Sequence, residues 1–101
     1  MRKIQPAIRS FLQITLVVPT PKREEAITKV FLPGRQRFLD RIPGAVTMDL
    51  LVREEDLQVL HGFDTMENAS AYLKSPIGKE ILGQLAEISD GKPSIAVYNV
   101  D

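Results

Sequence analysis

The sequence predicts an α+β fold with the element order β-α-β-β-α-α-β. Alternation of apolar and polar residues indicates four strands, at residues 11–18, 45–53, 57–63 and 93–100. Apolar residues recur at helical spacing over residues 22–42 and 64–88, and proline or glycine lies near most of the boundaries. This order suits a four-stranded antiparallel sheet with helices on one face. The length of 101 residues predicts one domain, residues 1–101.

The composition argues against several classes of protein. Thirteen Lys and Arg balance thirteen Asp and Glu, so no basic surplus predicts a nucleic-acid partner. There is no Cys, which removes disulfides and thiolate sites. The apolar run at residues 11–18 is too short to span a membrane and no cleavage signal follows it. We therefore expect a cytoplasmic protein without a membrane partner, preceded by an irregular lead-in at residues 1–9.

The first strand and helix have clear signals. Leu12, Ile14 and Leu16 share one face of the strand, and Pro19 and Pro21 bound it. In the helical segment 22–42, Pro33-Gly34 interrupts the apolar stripe. Proline removes a backbone donor and clashes with the preceding turn, so the sequence predicts a kinked helix or two short helices meeting at residues 32–34.

The second half is predicted as a hairpin followed by two helices and a last strand. Residues 54–56 form an acidic turn between the hairpin strands. Asp64 and Glu67 are spaced as a capping box, and Ser75-Pro76 is typical of a second helix start, with Ser75 as the N-cap. Asp90-Gly91 ends that helix.

The two faces of the predicted sheet differ in polarity. The apolar face, which the helices should cover, collects Leu12, Ile14, Leu16, Val46, Met48, Leu50, Val59, Ile95 and Val97. The other face mixes polar residues with apolar ones, namely Phe11, Val17, Leu51 and Leu60. A mixed face that its own helices leave uncovered favours a partner sheet, and a second copy of the chain is the simplest partner. We therefore expect a homodimer.

Three consecutive segments carry a resemblance to a known family. They are P-G-A-V-T-M-D-L-L (43–51), Q-V-L-H-G-F-D (58–64) and A-S-A-Y-L-K-S-P (69–76). Together they resemble the antibiotic biosynthesis monooxygenase family. The resemblance implies a ferredoxin-like β-α-β-β-α-β fold, two copies of which close into a dimeric α+β barrel. It also implies a pocket between the sheet and its helices, and in several members oxidation of polycyclic phenols or quinols by molecular oxygen without a cofactor.

The chain departs from the family pattern at several positions. The usual Trp that closes the third strand is Phe63, a helix position that is often His is Tyr72, and the His frequent after Ser-Pro is Ile77. Haem-degrading members use Asn, Trp and His, and the matching positions hold Leu12, Phe63 and Leu82. The resemblance therefore does not extend to haem cleavage.

Two residues are candidates for chemistry, with a set of apolar neighbours. His61, the only histidine, lies on an otherwise apolar strand face and could take a proton from a phenol or quinol, or be a core histidine held by a backbone carbonyl. Tyr72 could turn its hydroxyl into the pocket or simply pack its ring. The predicted pocket wall, which ordinary core packing would equally explain, consists of Phe38, Met48, Val59 and Phe63.

The remaining polar residues carry less information. Asp49 on the mixed face and the acidic turn at residues 54–56 are expected to be paired or solvated. One His and no Cys give no metal-ligand spacing, and no phosphate-binding loop is present, so no metal and no cofactor are predicted.

Three functions fit the sequence. The first is a monooxygenase without metal or flavin that acts on a small aromatic or quinol-like substrate. The second is a non-catalytic module that binds a small apolar molecule in the same pocket. The third is a structural dimer whose pocket is filled by Phe38, Met48 and Phe63. Oxygen uptake, ligand binding without product, and the absence of a cavity would distinguish them.

Overall fold

A computed structural model describes residues 7–101, so the first six residues of the predicted lead-in lie outside the described part. The order of elements is the predicted one. The strands and helices are β1 (Ser10–Leu16), α1 (Thr20–Ala26), a π-helical turn (Ile27–Phe31), α2 (Leu32–Arg41), β2 (Ala45–Val52), β3 (Leu57–Phe63), α3 (Met66–Lys74), α4 (Pro76–Ile88) and β4 (Ser94–Asn99).

The four strands form one antiparallel sheet in the order β2-β3-β1-β4. Leu12 on β1 lies opposite both His61 on β3 and Val97 on β4. Directly opposite residues of antiparallel strands point to the same face, so this register places His61 on the helix side of a central strand. The predicted α+β fold with an antiparallel sheet is confirmed.

The segment from Thr20 to Arg41 is one helical run with an irregular turn. The backbone N–H of Leu32 donates to the carbonyl of Ile27, a bond across five residues that widens the helix just before Pro33. Such π-helical turns are one of the recognised ways in which a helix accommodates a proline. At the predicted position the helix is therefore irregular but not interrupted, because the π-helical turn ends at Phe31 and the helical run continues through Pro33-Gly34 to Arg41. Within residues 7–101, no helix is long and apolar enough to cross a membrane.

The two predicted helix caps have different outcomes. Ser75 is the N-cap of α4 and accepts a hydrogen bond of 3.0 Å from the amide of Gly78, as predicted. The capping box at Asp64 is wrong, because Thr65 is the N-cap of α3 and accepts from the amide of Asn68 at 3.1 Å. Asp64 instead accepts a hydrogen bond from the Asn68 carboxamide. Thr65, one residue after Asp64, has a side-chain oxygen that can cap a helix in the same way.

The acidic turn between β2 and β3 is more ordered than a solvated loop. Asp56 is buried and receives two hydrogen bonds from Arg53, at 2.7 and 2.9 Å. Arg23 of α1 donates to the backbone carbonyls of Arg53 and Glu54. The turn is thus tied to α1 through its backbone, and its buried carboxylate is neutralised within the turn.

The helices cover three of the four strands. Leu12, Ile14 and Val59 are fully buried beneath them, in agreement with the predicted apolar face. On β4 the prediction is wrong, because Ile95 and Val97 lie on the same face but remain 46% and 37% exposed. Val46 also differs, since it lies at a bulge where the pairing of β2 shifts register. An outer strand at the edge of the helix layer explains the exposure of β4.

The opposite face of the sheet, here called the open face, is covered by none of the helices in the described part of the chain. Tyr98 on β4 donates to the side-chain oxygen of Gln13 on β1, and Gln13 donates in turn to Gln58 on β3. Apolar side chains around this chain of hydrogen bonds are about half exposed, among them Val17 and Leu51. The open face therefore combines a polar centre with exposed apolar groups, as the sequence predicts.

Candidate functional site

The candidate site is a cluster of four aromatic rings between the sheet and helices α2 and α3. β3 contributes His61 and Phe63, α2 contributes Phe38, and α3 contributes Tyr72. Phe38 contacts the other three rings edge-on or nearly so, at centroid distances of 5.0 to 5.3 Å. The structure thus brings together both candidates for chemistry and two of the four predicted wall residues, all of them buried.

Met48 and Val59, the other two predicted wall residues, lie beside this cluster on the sheet. Met48 pairs directly with His61 across β2 and β3, and Val59 lies two residues before His61 on the same face. Both are buried. Val59 lines only a void of about 10 Å³, which holds no more than one water molecule.

His61 is neutral, and one of its ring nitrogens has no partner. Its Nδ1 lies 3.2 Å from the carbonyl of Leu12, which can only accept, so Nδ1 carries the proton and donates. Nε2 is then a lone-pair acceptor, and it has no hydrogen-bond partner among residues 7–101. Burial in apolar surroundings lowers the pKa of His61 to about 4, and its backbone hydrogen bonds offset only part of that effect.

Tyr72 carries the complementary group. Its hydroxyl is buried and likewise finds no partner within the described residues. Burial raises the pKa of Tyr72 to about 12, and the positive charge of Arg37 opposes part of that rise. The hydroxyl is therefore protonated and can donate. Its ring centroid lies 5.4 Å from that of His61, so an acceptor and a donor, both unused, share one apolar enclosure.

Arg37 and Glu80 link the helices outside the aromatic cluster. The Arg37 guanidinium on α2 donates two hydrogen bonds to the Glu80 carboxylate on α4, at 2.7 and 3.2 Å. This pairing lowers the pKa of Glu80 and raises that of Arg37. The pair is partly exposed, so its contribution to stability is small. It fixes a positive charge on the helix layer near Tyr72.

A pocket of about 160 Å³ opens on the other side of Tyr72, and we call it the α3 pocket. It lies between the turn after α2 and one face of α3, and its lining residues are Ile42, Pro43, Asn68, Ala71, Tyr72 and Ser75. His61 is not among them. The Tyr72 side chain therefore belongs both to the pocket wall and to the buried cluster that contains His61.

The sequence reasoning missed most of the α3 pocket. Signals for it were present, because Asn68, Tyr72 and Ser75 are spaced i, i+4 and i+7 and so share one face of a helix. In the sequence, residues 43–51 indicate only the family resemblance, whereas in the structure Pro43 forms part of the opposite wall of the pocket. Among the described residues, no group of His, Asp and Glu is placed to hold a metal ion.

No protein-family model and no curated protein sequence matches the chain. Solved structures match it closely in shape. A conserved protein from Methanosarcina mazei Go1 superposes with a TM-score of 0.77 and 18% identity, covering 93% of this chain and 94% of the other. A monooxygenase from the gene ActVA-Orf6 of Streptomyces coelicolor, in complex with nanaomycin D, gives 0.77 and 12% identity over 93% and 88%.

A third structure, named an antibiotic biosynthesis monooxygenase, gives a TM-score of 0.70 and 4% identity over 91% of this chain and 98% of the other. These similarities extend over nearly the whole length of each chain. The chain therefore has the fold of the antibiotic biosynthesis monooxygenases, as the resemblance in its sequence implied. Identities this low carry no residue roles across, so the chemistry must be argued from the site itself.

Proposed function

We propose that this chain, which has the monooxygenase fold described above, oxidises a small phenol or quinol with molecular oxygen and without a metal or flavin. The observation that carries the proposal is the pair of unused polar atoms, Nε2 of His61 and the hydroxyl of Tyr72, inside an aromatic enclosure. A substrate hydroxyl would satisfy both atoms, since it donates to the first and accepts from the second. Buried polar atoms without partners are uncommon and call for such an explanation.

The substrate would enter through the α3 pocket and displace the Tyr72 side chain. Tyr72 lines this pocket, and the centroid of its ring lies 5.4 Å from that of the imidazole, which does not line the pocket. A change of side-chain rotamer at Tyr72 would join the two spaces. Because this ring is buried, the change requires a local opening of the cluster, which takes microseconds to seconds. The substrate hydroxyl would then meet Nε2 of His61, while Phe38 and Phe63 exclude water from the ring.

The pKa of His61 constrains the order of events. Moving a proton from a phenol of pKa about 10 to an imidazole of pKa about 4 costs about 8 kcal/mol if nothing else changes. The proton should therefore leave the substrate as its ring gives an electron to oxygen, because the oxidised phenol is far more acidic. Superoxide and the phenoxyl radical combine at a ring carbon, the resulting peroxide anion takes back the proton that His61 accepted, and the hydroperoxide loses water. For phenol itself, C₆H₆O and O₂ give C₆H₄O₂ and H₂O.

Oxygen consumption with labelled oxygen tests the proposal. The metal-stripped protein is mixed with a panel of phenols and quinols under ¹⁸O₂, and we expect one labelled atom in the quinone and one in water. Replacing His61 with Phe, which keeps a ring beside Phe38, should slow turnover at least about a hundredfold. Leu39→Phe, which adds a ring to an exposed side chain of α2 on the side of the sheet opposite the open face, is the control and should leave the rate unchanged. A parent rate equal to autoxidation would end the proposal.

A second copy of the chain belongs to this proposal. The open face presents Val17, Leu51 and Tyr98 at 45% to 50% exposure around its polar centre. Apolar groups gathered on a face without helices favour a partner sheet, and an identical sheet offers the same mixture of polar and apolar groups. We propose a homodimer that buries the open faces against each other.

One observation favours a different function for the same pocket. The α3 pocket ends at Tyr72, and His61 does not line it. If Tyr72 stays in place when a ligand binds, the pocket holds a small molecule without bringing it to the imidazole. Binding of a phenol without any uptake of oxygen would support this non-catalytic binding module.

A further inference from the structure

We propose that the α3 pocket selects neutral aromatic compounds of a single ring that carry a hydroxyl group, and that the Asn68 side-chain oxygen accepts the hydroxyl hydrogen. This inference rests on the proposed function only in naming its substrate, since binding is measurable without turnover. The resemblance in the sequence implies polycyclic phenols or quinols as substrates, whereas this inference restricts the substrate to compounds with one ring.

The two walls of the pocket are held against each other before any ligand binds. Gly44 has a φ of +79°, a left-handed conformation that favours glycine, and its carbonyl accepts a hydrogen bond of 2.9 Å from the amide of Asp64. A Cβ at Gly44 would collide with the side chains of Asp64 and Asn68. The turn carrying Ile42 and Pro43 is therefore pinned to the start of α3, and the pocket is preformed.

The size of the pocket sets the number of rings. Its volume is about 160 Å³. An engineered protein cavity of about 150 Å³ binds one benzene molecule, so one ring fills the space available here. The further rings of a fused two- or three-ring compound would remain outside in water. The apolar surface of Ile42, Pro43 and Ala71 suits the faces of such a ring.

The polar groups of the pocket specify a donor on the ligand. The Ser75 hydroxyl proton is already used, since it donates to the carbonyl of Tyr72 at 2.7 Å, and the same oxygen already accepts from the amide of Gly78. The side-chain nitrogen of Asn68 donates to the Asp64 carboxylate at 2.8 Å. Because a carboxylate only accepts, the atom of the carboxamide that faces Asp64 must be the nitrogen and not the oxygen. The Asn68 oxygen is then the acceptor that remains, with no hydrogen bond to the described residues.

The same arrangement disfavours anions. The Asp64 carboxylate accepts a hydrogen bond from the Asn68 amide, and within residues 7–101 no lysine or arginine lines the pocket. A carboxylate or phosphate on the ligand would face a lone pair and a nearby negative charge. A para-diol such as hydroquinone fits best, because one hydroxyl can donate to Asn68 while the other points toward Tyr72 and His61.

Binding is tested by amide NMR titration of the full-length chain with hydroquinone, p-xylene, 1,4-naphthalenediol and 4-hydroxybenzoate. p-Xylene has the shape of hydroquinone but no donor. We expect hydroquinone to shift the amides of Asn68 and Ala71 and to bind at least fivefold more tightly than each of the other three. Equal or tighter binding of any of these three, or shifts confined to another surface, would overturn the inference.

A matched pair of variants locates the binding. Ala71→Leu fills the α3 pocket, and Ser70→Leu adds the same side chain one residue away, where it does not line the pocket. Leucine suits an exposed helix position, so both variants should fold. We expect the first to weaken hydroquinone binding at least tenfold and the second less than twofold. Equal effects would show that hydroquinone binds elsewhere.

Failure of this inference and failure of the proposed function give different results. If hydroquinone binds in the α3 pocket but no oxygen is consumed, the pocket assignment stands and the monooxygenase reaction is wrong. If two- or three-ring quinols are oxidised while hydroquinone neither binds nor reacts, the reaction stands and the restriction to one ring is wrong.

Discussion

Strands β3 and β4 have similar alternating sequences but opposite environments. On β3, Val59, His61 and Phe63 point toward the helices, and each is at most 1% exposed. On β4, Ile95 and Val97 point to the same side of the sheet and remain largely exposed. The difference comes from position, since β3 is central and β4 is one of the two outer strands, at the edge that the helix layer covers least. A pattern of apolar residues therefore shows which side chains favour burial but not what covers them.

The two strands should also differ in how much stability the protein loses when one of their side chains is replaced. β3 supports the aromatic cluster, where each ring packs against several others, so a cavity there cannot be filled by small movements. β4 has no charged residue between Ser94 and Asn99, and no strand among residues 7–101 pairs with its outer edge. Such an edge strand is usually protected by charges or by a partner. A substitution on the buried side of β3 should therefore cost more stability than one on β4.

Removing a ring from the cluster should have the largest effect. Phe38→Ala leaves a cavity beneath α2 against three other rings, and we expect it to lower the free energy of unfolding by about 3–5 kcal/mol. Tyr98→Ala removes a ring of similar size from the exposed strand and should cost less than about 1 kcal/mol in the monomer. Urea denaturation of both variants at low protein concentration measures the difference. Equal losses would contradict the contrast.

Acid should destabilise the same cluster through His61. The folded pKa is about 4, and the unfolded pKa is about 6.5, so the unfolded chain binds more protons between these values. Stability is therefore complete above pH 6.5 and is lost as the pH falls toward 4. We expect a loss of about 2 kcal/mol between pH 7 and pH 5.

His61→Phe is the control for this pH dependence. The chain has no other histidine, so the variant should show a nearly constant free energy of unfolding between pH 7 and pH 5. Asp56 and Glu80 have lowered pKa values and contribute only at more acidic pH. A slope that persists in the variant would mean that another group titrates in this range.

Much of the fold could be predicted because the decisive signals are local. Proline, glycine and the Ser75 cap mark the boundaries of the elements, and the alternation on β1 and β3 fixes which residues face the helices. The cap at Thr65 was missed because Asp64 and Glu67 fit the same motif, and the choice depends on where the chain leaves β3. The Asp64 carboxylate instead accepts a hydrogen bond from the Asn68 side chain, and the spacing of the residues does not predict this bond.

The site could be predicted only in part, for a similar reason. His61 and Tyr72 stand out as polar groups in apolar segments, and the structure places them in one cluster. The α3 pocket depends on the turn at Gly44 being held against Asn68. The exposure of Ile95 and Val97 depends on how far the helix layer reaches. Both are properties of tertiary packing, which no single segment of the sequence contains.

Removing the Tyr72 hydroxyl should have a smaller effect, and of opposite sign. This group is buried without a partner in the described residues, so Tyr72→Phe removes an uncompensated desolvation cost. We expect the free energy of unfolding to rise by about 1–2 kcal/mol. Tyr98→Phe on the exposed strand should change it by less than about 0.5 kcal/mol. A loss of stability in Tyr72→Phe would instead reveal a partner for this hydroxyl, such as a buried water molecule.

The smallest effect on the stability of the monomer is expected on the open face. Leu51→Glu adds a charge to a side chain that is 45% exposed, so the isolated chain should lose less than about 0.5 kcal/mol. If a second copy covers this face, the same charge is buried in the dimer, and the dissociation constant should rise at least about a hundredfold. Sedimentation equilibrium measures that constant.

Leu39→Glu provides the matched control for the open face. Leu39 is also an exposed leucine, at 37%, but it lies on α2 in the helix layer on the other side of the sheet. If the open faces pair, the Leu39 variant should remain dimeric while the Leu51 variant dissociates. A parent chain that stays monomeric at high concentration would remove the dimer from the proposal. Comparing these two variants therefore shows whether the exposed apolar residues of the open face contact a second copy of the chain or are exposed only because the protein is small.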